Sequence, residues 1–215
     1  MKKGLTELVF ILDRSGSMAG LESDTIGGFN SMLKKQQDIE GDCQITTVLF
    51  DHNYELLHDR IDIKAVNPMT DKEYWVRGST ALLDAIGTTI NKISNAQKNT
   101  AEEYRAEKVM FVIITDGAEN ASQEYSSVKV KTMIETQKDS DWEFIFLGAN
   151  IDAVETAGTY GIDANRAVDC LADSQGTELN FRVMADTVAT FRNEGIIDED
   201  SFEVIRKDVK KRKKK

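Results

Sequence analysis

A carboxylate and two hydroxyls follow a short apolar run near the start of the chain. The run begins at Leu8, and Asp13, Ser15 and Ser17 come directly after it at alternate positions. Gly16, between the two serines, permits a tight turn in which three side-chain oxygens converge. One anionic and two neutral oxygens suit a hard divalent ion such as Mg²⁺ better than zinc or copper. The competing interpretation is that Asp and Ser here are ordinary turn and helix N-cap residues.

Two more polar motifs stand at the ends of apolar segments. Gly78-Ser79-Thr80 precedes a helical pattern, and Asp116-Gly117 follows the apolar run 109–115, the clearest central strand. If that run neighbours the first strand in a parallel sheet, both carboxyl ends open into the crevice where doubly wound folds bind ligands. We therefore predict one metal site formed by Asp13, Ser15, Ser17, Thr80 and Asp116. In the alternative interpretation, Ser79 or Thr80 is only the N-cap of the next helix.

The elements that must position these residues alternate along the chain. Strand patterns at 8–12, 43–50, 54–57, 109–115, 144–147 and 167–171 are separated, with one exception, by helical or loop segments. This alternation predicts an α/β fold, with a doubly wound, mostly parallel sheet and helices on both faces. The exception is the short turn 51–53, which predicts an antiparallel pair. With no internal repeat or second core, we predict a single domain over 1–205 and a basic C-terminal tail, 206–215.

The distribution of charge argues against nucleic-acid binding by the globular part of the chain. The 215 residues carry a net charge of −10, and the eight basic residues and one acid from Arg206 onward contribute +7, so the preceding 205 residues carry −17. An acidic globule repels phosphates, so we expect no nucleic acid to bind the globular domain. The basic tail either contacts an anionic surface or is a solvated helix end.

Hydropathy and the reactive residues narrow the setting. No apolar stretch approaches the ~20 residues of a membrane span, and the N-terminal apolar run is too short for a signal peptide, so we expect a cytoplasmic protein. Cys43 and Cys170 lie in or beside apolar segments, which favours buried, reduced thiols. Neither His52 nor His58 has a Cys or another His at the spacing of zinc ligands. This argues against a His-based metal site and against a Ser-His-Asp triad.

The three polar motifs, in this order, resemble the metal-ion-dependent adhesion site (MIDAS) of von Willebrand factor type A (vWA) domains. The resemblance implies a Rossmann-like, six-stranded sheet of order 3-2-1-4-5-6 with one antiparallel edge strand. It implies that Ser15, Ser17 and Thr80 ligate the ion directly or through water, and that Asp13 and Asp116 contact the ion or its ligands. The implied ion is Mg²⁺, with Mn²⁺ or Ca²⁺ as alternatives. In that family a carboxylate of a protein partner completes the coordination.

Three functional hypotheses follow. The first is a protein-binding module, similar to bacterial single-domain vWA proteins, that grips a partner's acidic residue through the ion. The alternative is a Mg²⁺-dependent phosphohydrolase; against it, the chain lacks a Gly-rich, Lys-containing phosphate loop, and no His is near the motifs. We therefore expect no enzyme. The third is a tail that tethers the protein to nucleic acid or membrane. Glu119 and Asn120 either tune the open position of the ion or hydrogen-bond its ligands, or they are exposed loop residues.

Overall fold

The computed structural model describes residues 1–213; Lys214 and Lys215, at the end of the predicted basic tail, lie outside the described residues. The strands are β1 (Lys2–Asp13), β2 (Cys43–Phe50), β3 (Tyr54–Asp62), β4 (Ala106–Thr115), β5 (Glu143–Ala149) and β6 (Ala167–Cys170). The helices are α1 (Glu22–Gln37), α2 (Leu82–Asn99), α3 (Ser127–Lys138), α4 (Ala153–Thr159), α5 (Ser174–Glu194) and α6 (Glu203–Arg212).

The strands form one sheet in the order β3-β2-β1-β4-β5-β6. Only the β2–β3 pair is antiparallel; the other neighbouring pairs are parallel. The predicted fold class, strand order and antiparallel edge strand are confirmed. After β1 the chain continues to β2 and β3 on one side of the sheet, and after β4 it continues to β5 and β6 on the other side. The carboxyl ends of β1 and β4 therefore flank the crevice where the winding reverses.

Strand β1 is central because its side chains alternate between two buried layers. Leu8 and Phe10 belong to the apolar core that faces α1, α5 and α6. Val9 and Ile11 belong to the core that faces α2, α3 and α4. All four side chains have no exposed surface. Because β1 is covered on both faces, it is apolar without interruption from Leu8 to Leu12. The polar loop begins at its carboxyl end, at Asp13.

Helix α6 carries most of the predicted basic tail. Ile205 and Val209 are buried and pack into the core that faces α1 and α5. The boundary predicted at residue 206 therefore falls inside a helix with an apolar face. Lys207, Lys210 and Lys211 project from the exposed side of the same helix.

Within residues 1–213, no helix is both long and apolar enough to cross a membrane. Cys43 and Cys170 are free and buried, as predicted.

Candidate metal centre

Three hydroxyls from two separate loops meet at the carboxyl edge of β1. The Ser15 and Ser17 Oγ atoms lie 2.9 Å apart. The Thr80 hydroxyl donates to Ser15 Oγ at 3.0 Å. Ser15 and Thr80 are buried, whereas Ser17 is exposed. The hydroxyls therefore form a short chain that begins inside the protein and opens to solvent at Ser17.

Asp13 fixes the turn that carries the serines. Its side chain is buried, and its two carboxylate oxygens accept hydrogen bonds from the Ser15 amide at 2.7 Å and the Thr115 hydroxyl at 2.6 Å. Burial raises the pKa of the Asp13 carboxyl, and these hydrogen bonds oppose the rise. Thr115 thus supports the site from the end of β4. In the sequence Thr115 is only the last residue of the predicted strand 109–115, and nothing there indicates this role.

Asp116 has a different environment. It is 3% exposed, and among the described residues neither carboxylate oxygen has a hydrogen-bond partner. Burial raises the pKa of Asp116 to about 6; the Asp13 charge adds to this rise, and the nearby Ser17 hydroxyl, though outside hydrogen-bond geometry, opposes it. A buried carboxylate without donors is costly unless a cation lies beside it.

The loop of Asp116 touches the hydroxyl chain directly. A Cβ atom added to Gly117 would lie 2.9 Å from Ser17 Oγ and 3.3 Å from Thr80 Oγ1. The close approach therefore requires glycine at this position. Through these contacts the structure brings together all of the residues predicted from the sequence: Asp13, Ser15, Ser17, Thr80 and Asp116.

The loop of Thr80 is clamped from two sides. Gly16 donates its amide to the Gly78 carbonyl oxygen at 3.1 Å, which ties the loop to the serine turn. Asn120 accepts from the Thr80 amide at 2.9 Å and donates its own amide to the Thr80 carbonyl oxygen at 3.0 Å. Asn120 is therefore a positioning residue for Thr80, in line with the predicted hydrogen bonding to the ligands.

Glu119 holds the same loop against the start of α2. Its carboxylate accepts from the amides of Leu83, Ala121 and Ser122 at 2.7 to 2.9 Å. Helix α2 begins at Leu82, and neither Ser79 nor Thr80 caps it. The N-cap interpretation of those two residues is therefore wrong. The Thr80 hydroxyl is directed at Ser15 instead, and the Leu83 amide in the first turn of α2 donates to Glu119 from another loop.

Two further neighbours carry no signal in the sequence. The buried Tyr74 donates its hydroxyl to the Asp13 carbonyl oxygen at 2.5 Å. His52 packs against Gly78, whose φ of +67° and lack of side chain leave room for the ring. The expectation that no His lies near the motifs is therefore wrong, because the β2–β3 turn folds onto the Thr80 loop. The imidazole Nδ1 lies 3.2 Å from the buried Asp51 carboxylate.

The donor set fits a hard divalent cation. It consists of oxygen atoms only, three from hydroxyls and the others from carboxylates. One of the carboxylates is Asp116, for which the described part of the chain offers no hydrogen-bond donor. Within residues 1–213 no group of three or more His, Cys, Asp or Glu side chains could hold a metal. A metal at this edge would therefore depend on the hydroxyls.

Comparison with known proteins gives the same fold. The vWF domain of the pilus tip protein Mfa5 from Porphyromonas gingivalis superposes with a TM-score of 0.62 at 11% identity, covering 90% of this chain and 98% of that one. The pilus adhesin SpaC from Lactobacillus rhamnosus GG gives 0.67 at 12% identity, covering 88% and 30%. Mussel proximal thread matrix protein 1 with a zinc-occupied MIDAS motif gives 0.55 at 13%, covering 86% and 46%.

This chain spans less than half of the length of the mussel and Lactobacillus chains. No family model and no curated protein matches the sequence. The likeness at these identities concerns the fold, and the fold of this chain is that of vWA domains.

Proposed function

We propose that this protein is a metal-dependent protein-binding module. The residues that would hold the cation are Ser15, Ser17, Thr80, Asp13 and Asp116. Mg²⁺ is the proposed ion because oxygen ligands and availability favour it, with Mn²⁺ or Ca²⁺ as alternatives. The protein's function would be to grip a carboxylate of a partner protein at the open side of that ion.

One observation carries the proposal: a chain of three hydroxyls beside a buried carboxylate that accepts no hydrogen bond within residues 1–213. Hydroxyls do not neutralise a divalent cation, and Asp13 is already engaged by Ser15 and Thr115. A cation held this way retains positive charge and favours an anionic group from outside. The exposed position of Ser17 marks the side from which such a group would approach.

Titration calorimetry with MgCl₂ tests the metal site. We expect the wild type to bind one Mg²⁺ per chain, and Ser15→Ala and Thr80→Ala to lose at least about tenfold in affinity. Ser79→Ala is the matched control, since Ser79 is exposed beside Thr80 and belongs to no part of the hydroxyl chain. Unchanged Mg²⁺ affinity in both site variants would refute the assignment.

A second measurement addresses the bound carboxylate. Glutarate, as a minimal carboxylate probe, is expected to bind the Mg²⁺-loaded protein weakly and the EDTA-treated protein not at all. The same preparations incubated with a panel of phosphomonoesters test the enzymatic alternative. We assign no catalytic residue, and metal-dependent turnover abolished by Asp13→Ala would replace the binding proposal with the phosphohydrolase.

Three expectations from the sequence remain predictions. They are the single domain over 1–205, the contact of the basic segment with an anionic surface and the cytoplasmic location. Deleting residues 210–215 should abolish any salt-sensitive binding to anionic vesicles if that segment is a tether. Cell fractionation tests the location.

A further inference from the structure

An exposed tryptophan lies on the loop that supplies Thr80. Trp75 is 42% exposed, whereas Trp142 is buried beside Phe111. Tyr74, which precedes Trp75, donates its hydroxyl to the Asp13 carbonyl oxygen. The Arg77 amide donates to the Arg14 carbonyl oxygen at 2.9 Å. The segment around Trp75 is therefore attached on both sides to the turn that carries the serines.

Two arginines support the indole ring. The guanidinium carbon of Arg77 lies 4.3 Å from the ring centroid and that of Arg14 lies 5.3 Å from it, both within cation–π range. Each arginine also donates its Nε–H to the same Oδ2 of the buried Asp51, at 2.8 and 3.1 Å. The ring is thus held in place before any partner arrives, which lowers the entropy cost of using it in binding.

The charges around the ring compensate one another. Asp51 faces both arginines, and Glu55 lies 2.7 Å from an Arg14 guanidinium nitrogen. Two cations therefore meet two carboxylates. A further carboxylate on a partner gains little beside Trp75, whereas an apolar side chain gains by burying the exposed indole. Preorganised aromatic residues are the side chains on which protein interfaces depend most.

We infer that Trp75 is a second anchor point of the binding face, and that the partner presents a protein segment with an acidic residue and a large apolar residue near it. The acid occupies the cation site and the apolar side chain lies on the indole. This inference rests on the proposed function. Trp75 and Thr80 are five residues apart, so their Cα atoms lie within about 18 Å. In an extended partner segment, the apolar residue therefore falls within about five positions of the acid.

A phage-displayed library of 12-residue peptides with one fixed central Asp tests the inference. Selection on the Mg²⁺-loaded wild type should enrich large apolar residues at one position within about five of the Asp. Synthetic peptides from that pool should bind Trp75→Ala at least about tenfold more weakly. Trp75→Phe keeps an aromatic ring and should retain most of the affinity. Tyr104→Ala is the matched control, because Tyr104 is exposed and precedes β4 at the opposite edge of the sheet.

Calorimetry with MgCl₂ on the same variants separates this inference from the proposed function. Trp75→Ala should bind Mg²⁺ like the wild type and lose only the peptide. Mg²⁺-dependent peptides without an apolar preference, or with equal affinity for Trp75→Ala, overturn the role of Trp75 and leave the metal site intact. A selection that yields no Mg²⁺-dependent peptide overturns the inference as well. Absence of Mg²⁺ binding by the wild type then shows that the proposed function failed first.

Discussion

Replacing Asp116 by Asn separates the stability lost by burying this carboxylate from its role in binding Mg²⁺. The Asp116 carboxylate is buried, and neither oxygen has a partner among the described residues. The neutral amide of Asn has nearly the same shape and carries no charge to desolvate. We therefore expect Asp116→Asn to raise the free energy of unfolding in EDTA at pH 7.5 while it abolishes Mg²⁺ binding.

The magnitude follows from the pKa of Asp116. A rise from 3.8 to about 6 corresponds to about 3 kcal/mol at most. Because the site opens to water at Ser17 and Asn120, screening reduces this, and we expect about 1–2 kcal/mol. For a chain of this size that is roughly 2–8 °C in Tm.

The pH dependence has a definite sign. An acid with a raised folded-state pKa favours the folded state when protonated, so its contribution is full below the unfolded-state pKa of 3.8 and is lost as the pH rises through about 6. Without metal, the wild type should gain about 1 kcal/mol between pH 7.5 and pH 5 relative to Asp116→Asn. Other raised carboxyls, such as Glu7, are common to both proteins and cancel in this difference.

Urea unfolding in EDTA, repeated at pH 5 and pH 7.5, measures both quantities. Asp13→Asn is the control, because its carboxylate accepts from the Ser15 amide and the Thr115 hydroxyl. There an amide nitrogen would face a donor, and we expect a loss of about 1–3 kcal/mol. With Mg²⁺ at ten times its Kd, the wild type alone should gain about 1.4 kcal/mol. If Asp116→Asn is less stable than the wild type in EDTA at pH 7.5, the account of a costly, partnerless carboxylate is incorrect.

Five further substitutions test other parts of the structure. Gly117→Ala should weaken Mg²⁺ binding at least about tenfold in calorimetry, because its Cβ atom would lie 2.9 Å from a site hydroxyl. Gly27→Ala should raise the free energy of unfolding by about 0.5–1 kcal/mol, since the added methyl meets open space in α1. Gly28→Ala should lower the free energy of unfolding, because its Cβ atom would lie 2.3 Å from the buried ring of Phe181. Val209→Asp should lower it by more than about 2 kcal/mol through a buried, unpaired charge, whereas Lys210→Asp on the exposed side should change it by less than about 0.5 kcal/mol.

Most of the fold could be predicted because apolar patterns and strand order are local and topological properties. The uninterrupted apolar runs of β1 and β4 identify strands buried on both faces, and the turn between β2 and β3 identifies the antiparallel pair. Helix α6 was not predicted with its buried face; a solvated helix end was one interpretation of its basic residues. Its apolar contacts are few, chiefly Ile205 and Val209, and they stand within a run of basic residues. The composition therefore favoured a solvated helix end, whereas this helix packs one face against the core.

The part of the site that could be predicted is the set of residues whose types indicate metal binding within a single motif. Hydroxyls and carboxylates at strand ends are visible in the sequence, and the topology brings them to one edge. The residues that support them are not visible in this way. Tyr74, His52 and Trp75 are ordinary loop residues until the loops fold onto the serine turn, and their contacts join positions more than twenty residues apart.

The support of the site determines what the cation would do to the protein. Several protein hydrogen bonds join the loops to each other, among them those between Gly16 and Gly78 and between Thr80 and Asn120. The hydroxyls are therefore held in place before any ion binds, and little backbone needs to be ordered by it. The cost that an ion would relieve is the buried charge of Asp116, which has no hydrogen-bond partner among the described residues. Metal binding should accordingly stabilise this fold by relieving one buried charge, with nearly unchanged amide exchange in the three loops; a large gain in exchange protection there would instead mean that the ion orders the site.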